Sequence, residues 1–432
     1  MGLLYGQTST LSAQAAPARP LTDSTLVVRI DSVLDLPTVI ERTLAASPSV
    51  RQAEAGLSNA RSGERVTNAA YLPSLAITSS ALRSNAVSTP TIGTNAGNSY
   101  AAGLASQVDL FTGGRRSADR ARSRADLNAA EALDIGQRYQ TTLVAERAFY
   151  EVLRGGDLVT AAEARVARAE RGLRFAQDRV RAGTATKSDE LRARLELTTG
   201  RQQSIAARDT QQTAAYALGR LVGADGPIGA RRPASLDPRP LALSDSEIIR
   251  LAVGYSPQVQ STEAAARAAD AATRVARSAY WPDIRLGGGY NWATQSPVIG
   301  SVKPGWQLLL ATSFPLFNGY QREDATTRSE SAADVSRATA QDAARQVRTE
   351  ASRLIAALRF AERNIMLASE AVTAAQEDLR VQTERYRAGI ATALDRQTSE
   401  VALTQADLSL VAARYNYQVT RATLEALVGR AL

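Results

Sequence analysis

Arg179-Val-Arg-Ala-Gly183-Thr-Ala-Thr186-Lys-Ser-Asp189 returns 206 positions later as Arg385-Tyr-Arg-Ala-Gly389-Ile-Ala-Thr392-Ala-Leu-Asp395. A repeat of about 200 residues is far longer than a solenoid module, so it predicts two structurally equivalent halves. Other short motifs recur at nearly the same spacing: Ser47-Pro48 with Ser256-Pro257, Phe111-Thr-Gly113 with Phe317-Asn-Gly319, and Leu221-Val-Gly223 with Leu427-Val-Gly429.

The composition excludes several kinds of chemistry. The 432 residues include no histidine and no cysteine, and the only lysines are Lys187 and Lys303. This removes thiol chemistry, disulfides, histidine bases and most metal sites. We expect no enzyme and no cofactor. The net charge of +8 comes almost wholly from arginine. These arginines alternate with acids and alanines along predicted helices, as on a solvated helix face, so we expect no nucleic-acid partner.

Each half has the same predicted order of elements. A short helix ends at the Ser-Pro step, a second helix ends at Tyr71 or Tyr280 just before a proline, and two strands follow. We expect a first repeat over residues 31–222, a Pro/Gly-rich linker over 223–243, and a second repeat over 244–429. Residues 1–30 are expected to be an export-signal remnant and N-terminal segment, because Ala13-Gln14-Ala15 has a small-x-small cleavage pattern.

After the strands, a helical pattern runs unbroken to Gly183 in the first half and to Gly389 in the second. About 70 helical residues span roughly 100 Å, more than an ordinary globular helix. A shorter helix then returns from each glycine. Gly155-Gly156 interrupts the first long helix, where we expect a bend or a packing irregularity.

The strand segments alternate with period two, which predicts a sheet with one apolar face. The strands are expected at about 74–90 and 99–110 in the first half, and at about 283–295 and 305–315 in the second. Their length suits tilted strands that cross a bilayer. No stretch of about 18 apolar residues exists, so no transmembrane helix is expected, whereas barrel strands leave a much weaker hydropathy pattern.

Four strands cannot close a barrel, and an open edge is not tolerated in lipid, so closure requires several chains. All three tryptophans, Trp281, Trp292 and Trp306, fall on or beside the second strand pair together with Tyr290. This favours a membrane-interface aromatic belt. The alternative is a soluble sandwich with core aromatics, but the opposite strand face is too polar to pack a second sheet.

The chain resembles the TolC-type outer membrane efflux proteins over nearly all of residues 34–429. The most specific similarities are Arg385-Tyr-Arg-Ala-Gly389, Asp395 six residues after that glycine, and Ala413-Arg-Tyr-Asn-Tyr417. The resemblance implies a mainly α fold with a small β part, built from a duplicated helix–strand–strand–long helix–helix unit. It also implies a homotrimer with a 12-stranded β-barrel in the outer membrane, continued by an α-helical barrel across the periplasm.

The function implied by this resemblance is the exit duct of a tripartite efflux or type I secretion system. Such a duct is a passive conduit, and its partners are outer membrane lipid, a periplasmic adaptor and an inner-membrane pump. The glycine turns would form the periplasmic tip, where Gly183, Gly389, Thr186 and Thr392 dock the adaptor.

The resemblance also places Asp189, Asp395 and Tyr386 at the periplasmic entrance. Rings of carboxylates favour cations, and crowding raises some of their pKa values. Thr186-x-x-Asp189 and Thr392-x-x-Asp395 equally fit capping boxes, and the two roles are compatible. Tyr386 would be a gating residue or would simply pack between helices. Lys187 lies beside Asp189 in sequence and would offset its charge.

The chain departs from the family at Ala391, where a gating arginine often occurs, and at Thr398, where a second aspartate can occur. An Arg–Tyr–Asp latch of the family type is therefore in doubt. The alternative class is a soluble coiled-coil scaffold without channel activity. That alternative explains the helices but not the two strand pairs or the tryptophans.

Overall fold

The computed structural model describes residues 32–84, 97–238, 241–294 and 303–430. The N-terminal segment predicted at residues 1–30 lies outside these described residues. The helices are α1 (Leu36–Ala46), α2 (Pro48–Ala69), α3 (Arg115–Arg181), α4 (Lys187–Leu221), α5 (Asp245–Tyr255), α6 (Pro257–Ser278), α7 (Gln321–Arg387) and α8 (Ala393–Val428). The strands are β1 (Ser32–Leu34), β2 (Ser74–Ser84), β3 (Gly97–Thr112), β4 (Ile228–Ala230), β5 (Asp283–Thr294) and β6 (Lys303–Ser313).

The four long strands form one antiparallel sheet in the order β2-β3-β5-β6. Strand β3 of the first half pairs with β5 of the second, so the sheet joins the two repeats. Strand β6 ends at Ser313, two residues before the predicted end at 315. Residue 315 is a proline, which has no N–H to donate to a ladder. Within the described chain, β2 and β6 each have one unpaired edge.

The strand register places the predicted apolar stripe on one face across all four strands. Ile77 is opposite Leu104, Leu104 is opposite Tyr290, and Tyr290 is opposite Trp306. These side chains remain exposed in the single chain: Ile77 by 84% and Trp306 by 78%. The sheet therefore presents an apolar face that this chain does not cover.

Both long helices are continuous. Helix α3 runs through Gly155-Gly156, and α7 has alanine at the equivalent of Gly155. A Cβ on Gly155 would lie only 2.9 Å from the Cα of Gln211 on α4. The glycine therefore permits a close approach of two helix backbones, which is the packing irregularity that the sequence suggested.

The linker is more structured than its composition predicts. Strand β4, within the predicted linker at 223–243, pairs in parallel with β1. Ile228 of β4 is buried in a hydrophobic cluster with Val39, Phe149 and Leu218. The three-residue strand is too short to give a period-two signal, which explains why it was not predicted.

Each half has its own hydrophobic cluster, and α3 packs against α4 of its own half and against α6 and α8 of the second half. Tyr415 of α8 lies in the first-half cluster, and its hydroxyl donates to Asp157 Oδ2 at 2.8 Å. The two halves therefore interlock along the helices as well as in the sheet. None of the helices in the described ranges has an apolar stretch long enough to cross a membrane.

Candidate site at the hairpin tips

The two helical hairpins end in matching turns, the first tip (residues 179–189) and the second tip (residues 385–395). Gly183 has φ +72° and Gly389 has φ +79°, a region that side chains with a Cβ rarely adopt. The Thr184 N–H donates to the Arg179 carbonyl at 2.9 Å, and the Ile390 N–H donates to the Arg385 carbonyl at 2.9 Å. Together with bonds from the glycine N–H groups, these contacts make each end a Schellman motif.

Each return helix then begins with a capping box. The Asp189 N–H donates to Thr186 Oγ1 at 3.3 Å, while the Thr186 N–H donates to Asp189 Oδ2 at 3.0 Å. In the second tip, the Asp395 N–H donates to Thr392 Oγ1 at 3.1 Å, and the Thr392 N–H donates to Asp395 Oδ2 at 2.8 Å. The two aspartates thus satisfy backbone donors at their helix starts.

These caps set the protonation of the two aspartates. The backbone N–H of Thr186 is the largest influence that lowers the pKa of Asp189. The hydroxyl of Thr392 is the largest influence that lowers the pKa of Asp395. Within one chain, both shifts are opposite to the increase expected from crowded carboxylates, because hydrogen bonds to the charged form dominate. Both side chains are therefore negatively charged at neutral pH.

Tyr386 lies between the halves. Its ring is buried, with a centroid 5.5 Å from that of Phe175 on α3. The guanidinium of Arg179 lies 4.9 Å from the Tyr386 ring centroid, and Arg179 Nη1 donates to the Tyr386 carbonyl at 3.1 Å. The sequence did not single out Arg179, although the residue is part of the repeated motif.

The residues at the two departures from the family make local contacts. Thr398 donates its hydroxyl to the Leu394 carbonyl at 3.0 Å, within its own helix. Ala391 donates its N–H to the Arg385 carbonyl at 3.2 Å. Lys187, which lies beside Asp189 in sequence, pairs its ammonium with Glu190, one helical turn along.

A buried ionic layer crosses the helices farther from the tips. Arg165 of α3 donates to Glu196 of α4 at 2.6 Å, and both residues are buried. Glu400 of α8 is only 1% exposed and accepts from Arg396 at 3.1 Å, with Arg168 of α3 at 3.9 Å. Burial is the main cause that raises the pKa of Glu400. This layer was not predicted, because along the sequence its charges resemble those of any solvated helix.

A second shifted acid lies where the halves meet. Burial, and then the negative charge of Glu425 on α8, raise the pKa of Glu146 on α3 to about 7. Glu425 also accepts from Arg421 Nε at 3.2 Å. Among the residues that the structure describes, no cluster of three or more acidic side chains is suited to a metal ion.

The predicted interface aromatics lie at both ends of the strands. Tyr290 and Trp292 stack edge to face with centroids 4.7 Å apart, on the same apolar face as Trp306. Trp281 lies at the other end of β5 and packs against Gly113. A Cβ added to Gly113 would lie only 2.6 Å from the Cβ of Trp281. All four of these aromatic side chains are exposed in the single chain.

Paired helical hairpins that continue into a sheet with an uncovered apolar face define a class of elongated channel proteins. The chain belongs to the outer membrane efflux protein family, whose model matches residues 39–224 and 248–430. The family and the fold are those of channel proteins. The protein is accordingly placed in the outer membrane and extends into the periplasm.

Individual relatives agree with this assignment. Protein CyaE of Bordetella pertussis is 30% identical over 319 residues, which is 72% of this chain and 65% of that protein. The match thus covers slightly less than two thirds of the relative's length. The VceC outer membrane protein of Vibrio cholerae is 20% identical, with a TM-score of 0.79 over 92% of this chain and 96% of that one. The CusC structure is 19% identical, with a TM-score of 0.81 over 97% and 99%.

Proposed function

We propose that the protein is the exit duct of a tripartite efflux or type I secretion system, and that it conducts substrates passively from the periplasm or a pump to the exterior. The observation that carries this proposal is the four-stranded sheet, which has an exposed apolar face and, within the described residues, unpaired edges at β2 and β6. In lipid, every backbone polar group needs a partner, so this sheet requires closure by further copies.

The proposed assembly is a homotrimer. Three copies of the sheet would give twelve strands, with each β6 edge paired to β2 of the next copy, as in even-stranded outer membrane barrels. The apolar stripe would face outer membrane lipid, and Trp281, Trp292, Trp306 and Tyr290 would lie at its interfaces with water. Each chain contributes its two repeats (31–222 and 244–429) as interlocked units joined by the linker at 223–243.

At the opposite end, the helices would continue the barrel to an entrance formed by the tips. Asp189 and Asp395 are equivalent in the two halves, so three copies would place six carboxylates around one aperture. Their lowered pKa values keep them charged, which supports a preference for cations. Tyr386, held by Arg179, would keep the second tip closed against the first.

The proposed partners are a periplasmic adaptor at the tips and, through it, an inner-membrane pump. The turns at Gly183 and Gly389 and the caps at Thr186 and Thr392 would be the docking points. No catalytic step, cofactor or nucleic acid has a part in this function, because a conduit needs only a selective aperture and an open path.

Planar bilayer recording of the purified protein tests the duct. Stepwise, cation-preferring conductance is expected when the protein is added in detergent. Failure of correctly folded protein to conduct, even after the tips are loosened by substitution, would contradict the proposal.

A further inference from the structure

We propose that the face of α3 that carries Arg171 and Arg174 binds an acidic helical hairpin of a partner protein. The inference rests on the proposed function, because it names the chemistry of an adaptor at the first of the two hairpins. It assigns that partner to the first hairpin in preference to the second.

The two arginines are exposed and unused within the chain. In the part of the chain that the structure describes, neither Arg171 nor Arg174 forms a hydrogen bond or an ion pair. Nearby acids already have partners: Arg201 donates to Glu170 at 3.1 Å, and Arg181 pairs with Asp178. The pair therefore remains an unneutralised double positive charge.

At the equivalent positions of the second half, the two side chains have opposite charges. The equivalents of Arg171 and Arg174, 206 positions on, are Glu377 and Arg380. These two form an ion pair at 2.6 Å along one helical turn. In the first half, a glutamate is replaced by a second arginine, and like charges three residues apart destabilise a helix. Among the described residues, neither arginine forms a hydrogen bond or ion pair that would offset this cost.

The charge difference extends along the whole end of the hairpin. Residues 165–194 contain nine basic and four acidic side chains, whereas the equivalent residues 371–400 contain four basic and five acidic. One hairpin is strongly basic and its structural twin is nearly neutral. A basic surface attracts an acidic partner and raises its rate of association.

The position of the pair on α3 leaves it open to a partner. Ala169 and Ala176 are buried between the neighbouring helices, and at 100° per residue Arg171 and Arg174 lie on the opposite side of α3. Around Arg165 and Arg168, α3 contacts α4 and α8, and α8 in turn packs against α7. The helices at the two flanks of this part of the chain are therefore α4 and α7, and a ring of copies would join through them. Another copy of the chain would therefore leave this face uncovered.

The spacing of the pair also fits a helix. Side chains three residues apart are about 5–6 Å apart at Cβ, the same separation as glutamates three or four residues apart on a partner helix. Each guanidinium can donate two parallel hydrogen bonds to a carboxylate, a bidentate geometry that lysine lacks. An acidic helical hairpin thus matches both the charge and the repeat of this face.

The test uses the full-length protein in detergent and a synthetic, disulfide-closed antiparallel helical hairpin with glutamates three and four residues apart on one helix. The control hairpin has glutamine at those positions. Titration calorimetry should show binding of the acidic hairpin that weakens with added salt. Arg171→Glu, which gives α3 the charge order of Glu377 and Arg380, should weaken binding by about tenfold or more. The Arg171→Gln and Arg174→Gln double variant should behave similarly.

The converse variant, Glu377→Arg, gives the second half the same arginine pair and should strengthen binding or add a second site. The inference would be overturned if the acidic and the glutamine hairpin peptides bound equally well, or if the Arg171 and Arg174 variants kept the affinity of the unmodified protein for the acidic peptide. Bilayer conductance of the same variants should match that of the unmodified protein. If the unmodified protein did not conduct at all, the exit duct would be contradicted instead. Failure of the acidic-partner inference and failure of the proposed duct are therefore distinguishable.

Discussion

Arg179 of the first tip holds Tyr386 of the second through two contacts at once. Its Nη1 donates to the Tyr386 carbonyl at 3.1 Å, and its guanidinium lies 4.9 Å from the centre of the ring. The other terminal guanidinium nitrogen, Nη2, donates to the Thr184 carbonyl at 2.9 Å, which fixes the arginine to its own turn. The two hairpins are thus clamped by a residue of the repeated motif, although Ala391 and Thr398 stand where the family resemblance implies an arginine and an aspartate.

Arg179→Ala should loosen the second tip. The change removes a cation–π contact worth about 1 kcal/mol and a hydrogen bond to Tyr386. In planar bilayers, conductance or open probability should increase. Arg179→Lys keeps the charge but loses the planar fork, so it should also open the tip. Arg181→Ala, which removes only the pair with Asp178, is the matched control and should have little effect. Equal conductance in all four proteins would refute the clamp.

Substitution of both Gly183 and Gly389 with valine should abolish export. Both glycines have positive φ, and β-branched residues are strongly disfavoured there, so each turn must rearrange. Gly56→Val on α2 is a useful control, because in the described structure a Cβ there meets no atom of a neighbouring element within 4 Å. Export of a reporter substrate is the measurement, together with an assay of membrane insertion. Normal export by the double valine variant would show that the tips are not the docking site.

Glu146 predicts a pH dependence of stability. Its pKa in the folded protein is about 7, against an ordinary value of 4.5, so the folded state holds this proton more tightly. The stability that it contributes is complete below pH 4.5 and is lost as the pH rises through about 7. In the Glu146→Gln variant, the thermal unfolding temperature should change less with pH between pH 4.5 and about 7. The exposed Glu131→Gln should leave the slope unchanged, and the same slope in both variants would contradict the assignment.

The aspartates at the two tips are predicted to control ion selectivity. Asp189→Asn combined with Asp395→Asn retains side-chain size and an acceptor for each cap, so the helices should remain folded. Cation preference in planar bilayers should fall, and block by multivalent cations should weaken. Because the folded pKa of each aspartate is lowered, its capping contribution is present above pH 3.8 and lost as the pH falls further. A variant with unchanged selectivity but lower thermal stability would show that the aspartates act only as caps.

Much of the fold was readable from the sequence because its signals are periodic and repeated. The period-two stripe through Leu104, Tyr290 and Trp306 and the glycines at the helix ends identify elements on their own. Strand β4 escaped prediction because three residues carry no periodicity. The Arg179 clamp and the ionic layer around Glu400 depend on which helices lie side by side. A sequence shows the spacing of charges along one helix, but the partner across a helix interface appears only once the packing is known.

The proposed duct requires several copies of the four-stranded sheet to close into one barrel. Native mass spectrometry of the complex, extracted from outer membranes in detergent, is the decisive measurement. We expect a complex of three chains that aggregates when the detergent is removed, because the apolar face of β2, β3, β5 and β6 would then be exposed to water. A monomer that remains in solution without detergent would contradict it.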